Sequence, residues 1–347
     1  MAMVSSVRDI LSRVWHRYRI QTAVFLLFIS LWFIFFVLNP FAFTRAYTYT
    51  SLMSTMPFTI VPALSLTYVM ICAEIDLSFP SVMALASWVL AVTWKDMGPT
   101  PLGVLLALAA GAVAGLFNGL LVTKARIPSI IATLGTLFFW RGVVMVCSQG
   151  YGIALFEYKD TPIYNLFVGR VAGLVPAQMI WTAALAVILW VFLNLHKFGA
   201  HIYFTGDNRV AARMMGINTD KVLIGVFIIH GLISAFAGIL ATLEVATFWP
   251  SLGEAYLMKS IAAVVVGGTS IFGGTGTIFG TFFGGLILGF IELGLLAAGV
   301  AGFWIRLVYG VVITVTLIVQ AIIREAEIKR EMKEILSEEL KEAPRGP

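Results

Sequence analysis

The chain has 347 residues, of which 60% are hydrophobic and 12% charged, with a mean hydropathy of +0.95. A soluble domain carries about 25% charged residues; charge this scarce cannot cover a water-facing surface, which excludes a soluble globular protein. The net charge of +5 sits in short loops and near the ends, without a basic face interleaved with aromatics; that excludes nucleic acid as a partner and matches the gathering of Lys and Arg on the cytoplasmic side of membrane proteins.

The long apolar runs do not alternate with period two, so they predict membrane-spanning helices of about 20 residues rather than a barrel. The expectation is an all-α polytopic protein of the cytoplasmic (inner) membrane. It crosses the lipid bilayer about ten times, with some helices short or broken and both termini cytoplasmic. Segment 1–20 holds Arg8, Arg13, Arg17 and Arg19 against Asp9, which makes it a cytoplasmic amino-terminal segment. The membrane domain then covers 21–323 and a charged helical tail 324–347. The first span, 21–39, is a full crossing, so no cleavable leader is expected. The second is placed at 51–72 and the third at 80–94.

Between the second and third spans lies "AEIDLSFPS", residues 73–81, with two carboxylates in a short break. Pro80 suits the first turn of a helix, where a missing N–H costs nothing. Asp76 or Ser78 stands where an acceptor caps that helix and a carboxylate favours its dipole. Glu74, too far back to cap, is expected to face a polar path, because charges at membrane depth are costly and mark pathways. A capped break lets irregular backbone survive beside such a path.

The fourth span, 101–123, has Gly111, Gly115 and Gly119 four apart, a smooth stripe for close helix packing. Lys124 and Arg126 follow in an inside loop, and the fifth span, 128–147, contains Trp140 and Arg141. The less basic 148–176 falls outside, and the sixth span is 177–195. Segment 196–221 falls inside with Lys197, Arg209, Arg213 and Lys221. Its "GDNRVAARMMGIN" (206–218) sets Ala211 and Ala212 ahead of Gly216, a short helix with a smooth face that can seat in another protein's groove.

The seventh span, 222–248, contains His230 and Glu244. The eighth, 259–268, is too short to cross as a regular helix, so it is broken or re-entrant and needs protein around it. The ninth, 276–300, repeats the glycine stripe at Gly276, Gly280 and Gly284 and contains Glu292, either protonated or paired with a residue such as Arg141. The tenth is 302–323. The tail spaces Ile328, Met332, Ile335, Leu336 and Leu340 as a solvated amphipathic helix or a docking helix.

No enzyme chemistry emerges. "GGTSIFGGTGTIFGT" lacks the Gly-Lys-Ser/Thr ending of a phosphate loop, so any ATP use belongs to a partner. Cys72 and Cys147 are too far apart in sequence to suggest a metal site or disulfide framework. No catalytic residues, cofactor or metal are expected.

Four stretches in order resemble one family, the membrane permeases of ATP-binding-cassette importers for monosaccharides of the ribose, xylose and arabinose type. They are "AEIDLS" with "SVMALASW", "IPSIIATLGTLFFWRG", "GDNRVAARMMGI" and "IAAVVVGGTSIFGGTGTIFGT". The resemblance implies a pore made with a second copy or a related permease, and a cytoplasmic ATPase engaging Gly206, Asn208, Ala211, Ala212, Gly216 and Ile217. It also implies an extracytoplasmic sugar-binding protein that delivers a small polar solute. Ala73 and Glu74 replace two glycines of that pattern, Val210 stands where the wider loop has an acid, and Glu292 where asparagine is common. These departures leave the solute open. The candidate path residues are Glu74, Asp76, Ser78, Trp140, Arg141 and Glu292. The alternative is a secondary transporter using Asp76 and Glu292 as proton or cation sites; a membrane-embedded enzyme lacks a catalytic set.

Overall fold

The computed structural model describes residues 21–342, nearly all helical; the amino-terminal segment 1–20 and residues 343–347 lie outside the described residues. The first helix, α1 (Gln21–Leu38), is apolar and almost entirely unburied, the mark of a helix facing lipid. A short α2 (Pro40–Phe43) leads into α3 (Ala46–Thr55) and α4 (Pro57–Ile71). These two helices meet at a 48° bend. Pro57 opens α4 and has no N–H to continue the ladder of α3, which accounts for the bend. The single crossing expected at 51–72 is therefore the end of α3 joined to α4. Every residue of α4 is buried, so this helix is the centre of the bundle.

The helices α5 (Phe79–Met97), α6 (Pro101–Thr123), α7 (Ser129–Ser148), α8 (Pro162–Val168) and α9 (Ala177–Leu195) follow. Next come α10 (Lys197–Asp207), α11 (Arg209–Met214) and the long α12 (Thr219–Val245). The chain ends with α13 (Tyr256–Val266), α14 (Ile278–Ala297) and α15 (Phe303–Glu342). The tenth span and the tail are thus one continuous helix. Among the described residues seven helices are long and apolar enough to cross a membrane, or eight if the bent α3–α4 pair counts as one. Two expected spans are not among them. α5 mixes its apolar residues with Ser81, Ser87, Thr93, Lys95 and Asp96. α13 has 11 residues, about 16 Å of helix against a hydrocarbon core of about 30 Å.

Both glycine stripes are packing surfaces. A Cβ on Gly111 would run into the Gly231 carbonyl and Ala235 of α12, and one on Gly115 into the Phe227 carbonyl. One on Gly119 would lie 2.9 Å from the Ile224 Cα. Backbone therefore touches backbone along α6 and α12, as small residues allow in lipid, where no hydrophobic effect draws helices together. On α14, Gly280 and Gly284 face the Gly267 and Ala263 carbonyls; Gly276, expected in the same span, lies just before the helix and faces Thr269 and Ile71.

The two ends of the bundle differ. α12 has 27 residues and is about 40 Å long, so α11 before it and the strand after it lie at opposite ends. At the far end, β1 (Ile153–Ala154) pairs antiparallel with β4 (Thr247–Phe248), and β2 (Arg170–Val171) with β3 (Val175–Pro176). The near end holds α10, α11, the 124–128 turn and the break between α4 and α5.

Candidate functional site

The near end is built around α11. Asn208 caps this helix, its side-chain oxygen accepting from the Val210 and Ala211 N–H groups at 3.0 Å each. Gly216 ends it at φ +84°, a left-handed conformation that glycine adopts without a Cβ penalty. Ala212 and Ile217 point inward and are buried, whereas Ala211 is exposed. The outward face shows Val210, Met214 and Met215, exposed by 64%, 84% and 60%. The joint before α11 is seated on the bundle: a Cβ on Gly206 would collide with the Ile71 carbonyl at the end of α4. Tyr203 of α10 donates its hydroxyl to the Gly276 carbonyl at 2.7 Å. Burial pushes the Tyr203 pKa up to about 12, so this donor keeps its proton.

α11 meets the break directly. One guanidinium nitrogen of Arg209 lies 2.5 Å from Glu74 Oε1 and 3.0 Å from the Cys72 carbonyl. Around this pair lies a cavity of about 960 Å³, lined by Lys124, Arg126, Arg209 and Arg213 against Glu74 and Asp220, among others. Asp220 is held by Arg213 at 3.0 Å and Lys124 at 3.6 Å. Cations therefore outnumber carboxylates in a basin that opens beside the exposed face of α11.

Asp76 does a different job from the one its position suggests. It does not cap α5: its Oδ1 accepts from the backbone N–H and the hydroxyl of Ser78, both at 2.7 Å. In the first turn of α5 the Ser81 N–H goes to the Ser78 carbonyl, Pro80 has no N–H to offer, and Val82 makes the first regular helical bond to the same carbonyl. Asn118 donates to Asp76 Oδ2 (3.2 Å) and Ser78 Oγ (2.7 Å), and Thr136 donates to Asn118 (2.7 Å). All four side chains are buried. Ser129 and Thr133 of α7 accept from the Ile75 and Leu77 N–H groups at 3.1 and 3.0 Å. The break is thus a hydrogen-bonded knot joining α5, α6 and α7.

The remaining candidates do not gather with Glu74. Arg141 bonds the carbonyls of Pro250 and Leu252 and lies 3.7 Å from Glu254, tying α7 to the segment after β4. Trp140 packs against Phe117 and Phe139. Glu292 lies 2.6 Å from Lys259 Nζ and accepts from the Tyr309 hydroxyl at 2.9 Å. Of the two readings of Glu292, protonated or paired, pairing with a cation is the one seen, but the cation is Lys259 and not Arg141, which has its own partners. His230 meets Ser65 at 2.8 Å.

Several contributors escaped the sequence reading. Asn118 is the one amide in a largely apolar α6, and Lys259 the one charge in α13; each was visible as the strongest polar group in a largely apolar helix. Arg209 was visible only as loop charge. Among the described residues no group of His, Cys, Asp and Glu is placed to hold a metal ion.

Residues 47–317 match a protein family described as the branched-chain amino acid transport system / permease component. The ribose import permease protein RbsC of Escherichia coli (strain K12) is 35% identical over 260 residues, covering 75% of this chain and 81% of that protein. RbsC of Bacillus subtilis (strain 168) is 34% identical over 291 residues, 81% of this chain and 87% of that protein. The autoinducer 2 import system permease protein LsrC of Enterobacter sp. (strain 638) is 32% identical over 306 residues, 88% of each chain. No solved structure matches the chain.

Proposed function

The chain belongs to this family and is a permease subunit of a sugar importer of the ATP-binding-cassette class, a multi-pass protein of the inner membrane and not itself an enzyme; from that premise we propose how it works and what it carries. The solute is a monosaccharide or a related small polar molecule, such as a pentose, hexose or polyol. A cytoplasmic ATPase subunit supplies the energy, and an extracytoplasmic binding protein delivers the solute. A second copy, or a related permease, completes the pore.

In this reading α3–α4 counts as one crossing, and α5 and α13 count beside the remaining seven, which makes ten with both termini cytoplasmic. Parity then puts the basic segments 124–127 and 196–221 on the cytoplasmic side, as charge bias requires. Their meeting around one cavity supports that assignment. Residues 21–323 form the membrane domain and 324–347 a cytoplasmic tail. Glu74 borders the cytoplasmic mouth and Glu292, with Lys259, the outer part of the path; Asp76, Ser78, Trp140 and Arg141 hold its walls.

The observation that carries the proposal is the outward face of α11. Val210, Met214 and Met215 leave an apolar patch in water while Asn208, Ala212, Gly216 and Ile217 fix the helix from behind. Such a patch marks a surface that a partner covers. Replacing both Met214 and Met215 with glutamate is expected to abolish co-purification of the ATPase while the permease stays folded and monodisperse. Undiminished co-purification would remove α11 from the interface. An ion-coupled secondary transporter, the alternative, predicts no bound ATPase at all.

A further inference from the structure

We infer that the Glu74–Arg209 ion pair is a positioning link through which movement of α11 reaches the break between α4 and α5. The inference rests on the proposed docking of an ATPase at α11 and deepens it. Arg209 is the first residue of α11, so its guanidinium moves with that helix. It grips the break twice, at the Glu74 carboxylate (2.5 Å) and the Cys72 carbonyl (3.0 Å). Among the described residues these are the only side-chain hydrogen bonds from α11 to residues 72–78.

The break is suited to pass a displacement on. It runs into α5 and is fastened to α7 through the Ile75 and Leu77 N–H groups and to α6 through the Asp76–Ser78–Asn118 network. Ala73, at φ +59°, sits against Gly273 at the turn where α4 ends. A pull on Glu74 is therefore a pull on three membrane helices at once. The Glu74 side chain is 9% exposed and that of Arg209 38%. At that burial the carboxylate is poorly screened by water, and removing its partner leaves a nearly buried charge unpaired. The pair is thus not a loose surface contact of the kind that contributes nothing measurable.

The test uses the whole complex, with ATPase and binding protein, in proteoliposomes, and reads solute transported per ATP hydrolysed. In Glu74→Gln and in Arg209→Gln, ATPase binding and the stimulation of hydrolysis by loaded binding protein should persist. Solute moved per ATP should fall by about tenfold, within the usual range of coupling between sites. A wild-type ratio in both variants overturns the link. Failure of the docking proposal itself is separately visible, because the unsubstituted complex would then not assemble or show stimulated hydrolysis. Should either variant fail to assemble, Glu74→Cys with Arg209→Cys, in a Cys72→Ala, Cys147→Ser background, decides. Joining the two thiols with a short bifunctional reagent should restore transport that the reduced form lacks, and a joined form no better than the reduced one contradicts the link.

Discussion

The contact between α6 and α12 gives the sharpest test of the fold. In Gly115→Ala the new methyl is aimed at the Phe227 carbonyl and approaches the Ile228 Cα within 3.0 Å, so the obstacle is backbone, which cannot rotate away. Gly135 of α7 is the matched control, since a Cβ there meets nothing within 4 Å. Alanine in a helix interior is better than glycine by about 1 kcal/mol at both sites, and overpacking at Gly115 alone costs about 1–3 kcal/mol, so the two substitutions should differ by roughly 1–3 kcal/mol. Gly135→Ala should be neutral or raise the midpoint of thermal unfolding in detergent; Gly115→Ala should lower it. Fluorescence-detected size exclusion after a temperature series reads both. A Gly115→Ala protein as stable as Gly135→Ala would refute the backbone contact, and with it the placement of α6 on α12.

Three further outcomes follow from the polar groups and the topology. Asp76→Ala leaves the Ser78 N–H and the Asn118 amide short of an acceptor in a buried site and should cost about 1–3 kcal/mol; Asp76→Asn keeps an acceptor oxygen and should cost less, and equal midpoints for the two would contradict the network. Lys259→Met strands Glu292 beside Tyr309 and should destabilise by a few kcal/mol, about 3–5 if the site were fully buried. Lys259→Met with Glu292→Leu should recover part of that loss, and a double variant worse than the sum of the singles would rule out the ion pair. In intact cells of a Cys147→Ser background, Asp160→Cys should react with an impermeant thiol reagent, while Ala125→Cys and Val210→Cys should be protected; labelling at 210 from outside would invert the topology.

What the sequence made legible was whatever depends on near neighbours. The spans at 101–123 and 177–195 coincide with α6 and α9, because Pro101 and Pro176 mark their starts and the apolar runs have clear ends. Both glycine stripes pointed to packing, though not to which helices fill them, since nothing local names Gly231 or Gly267. The tilt between α3 and α4 was signalled by Pro57 but hidden inside a continuous apolar run. The start of segment 196–221 read as loop but holds helix α10 (Lys197–Asp207), since its basic and aromatic residues carry no long apolar periodicity. Pairings across the chain were out of reach. Glu74 lies 135 residues from Arg209, and Glu292 found Lys259 rather than Arg141 because the fold brings α13 against α14. The turn at Asp76 looked like a helix cap because Asx turns and caps use the same residues.

The most direct test of the central claim is uptake of a labelled monosaccharide into proteoliposomes holding this chain, its ATPase and its binding protein. Uptake should require internal-face ATP and loaded binding protein, and it should persist when a protonophore collapses the proton gradient. Uptake that runs without ATP and stops with the protonophore would contradict the account.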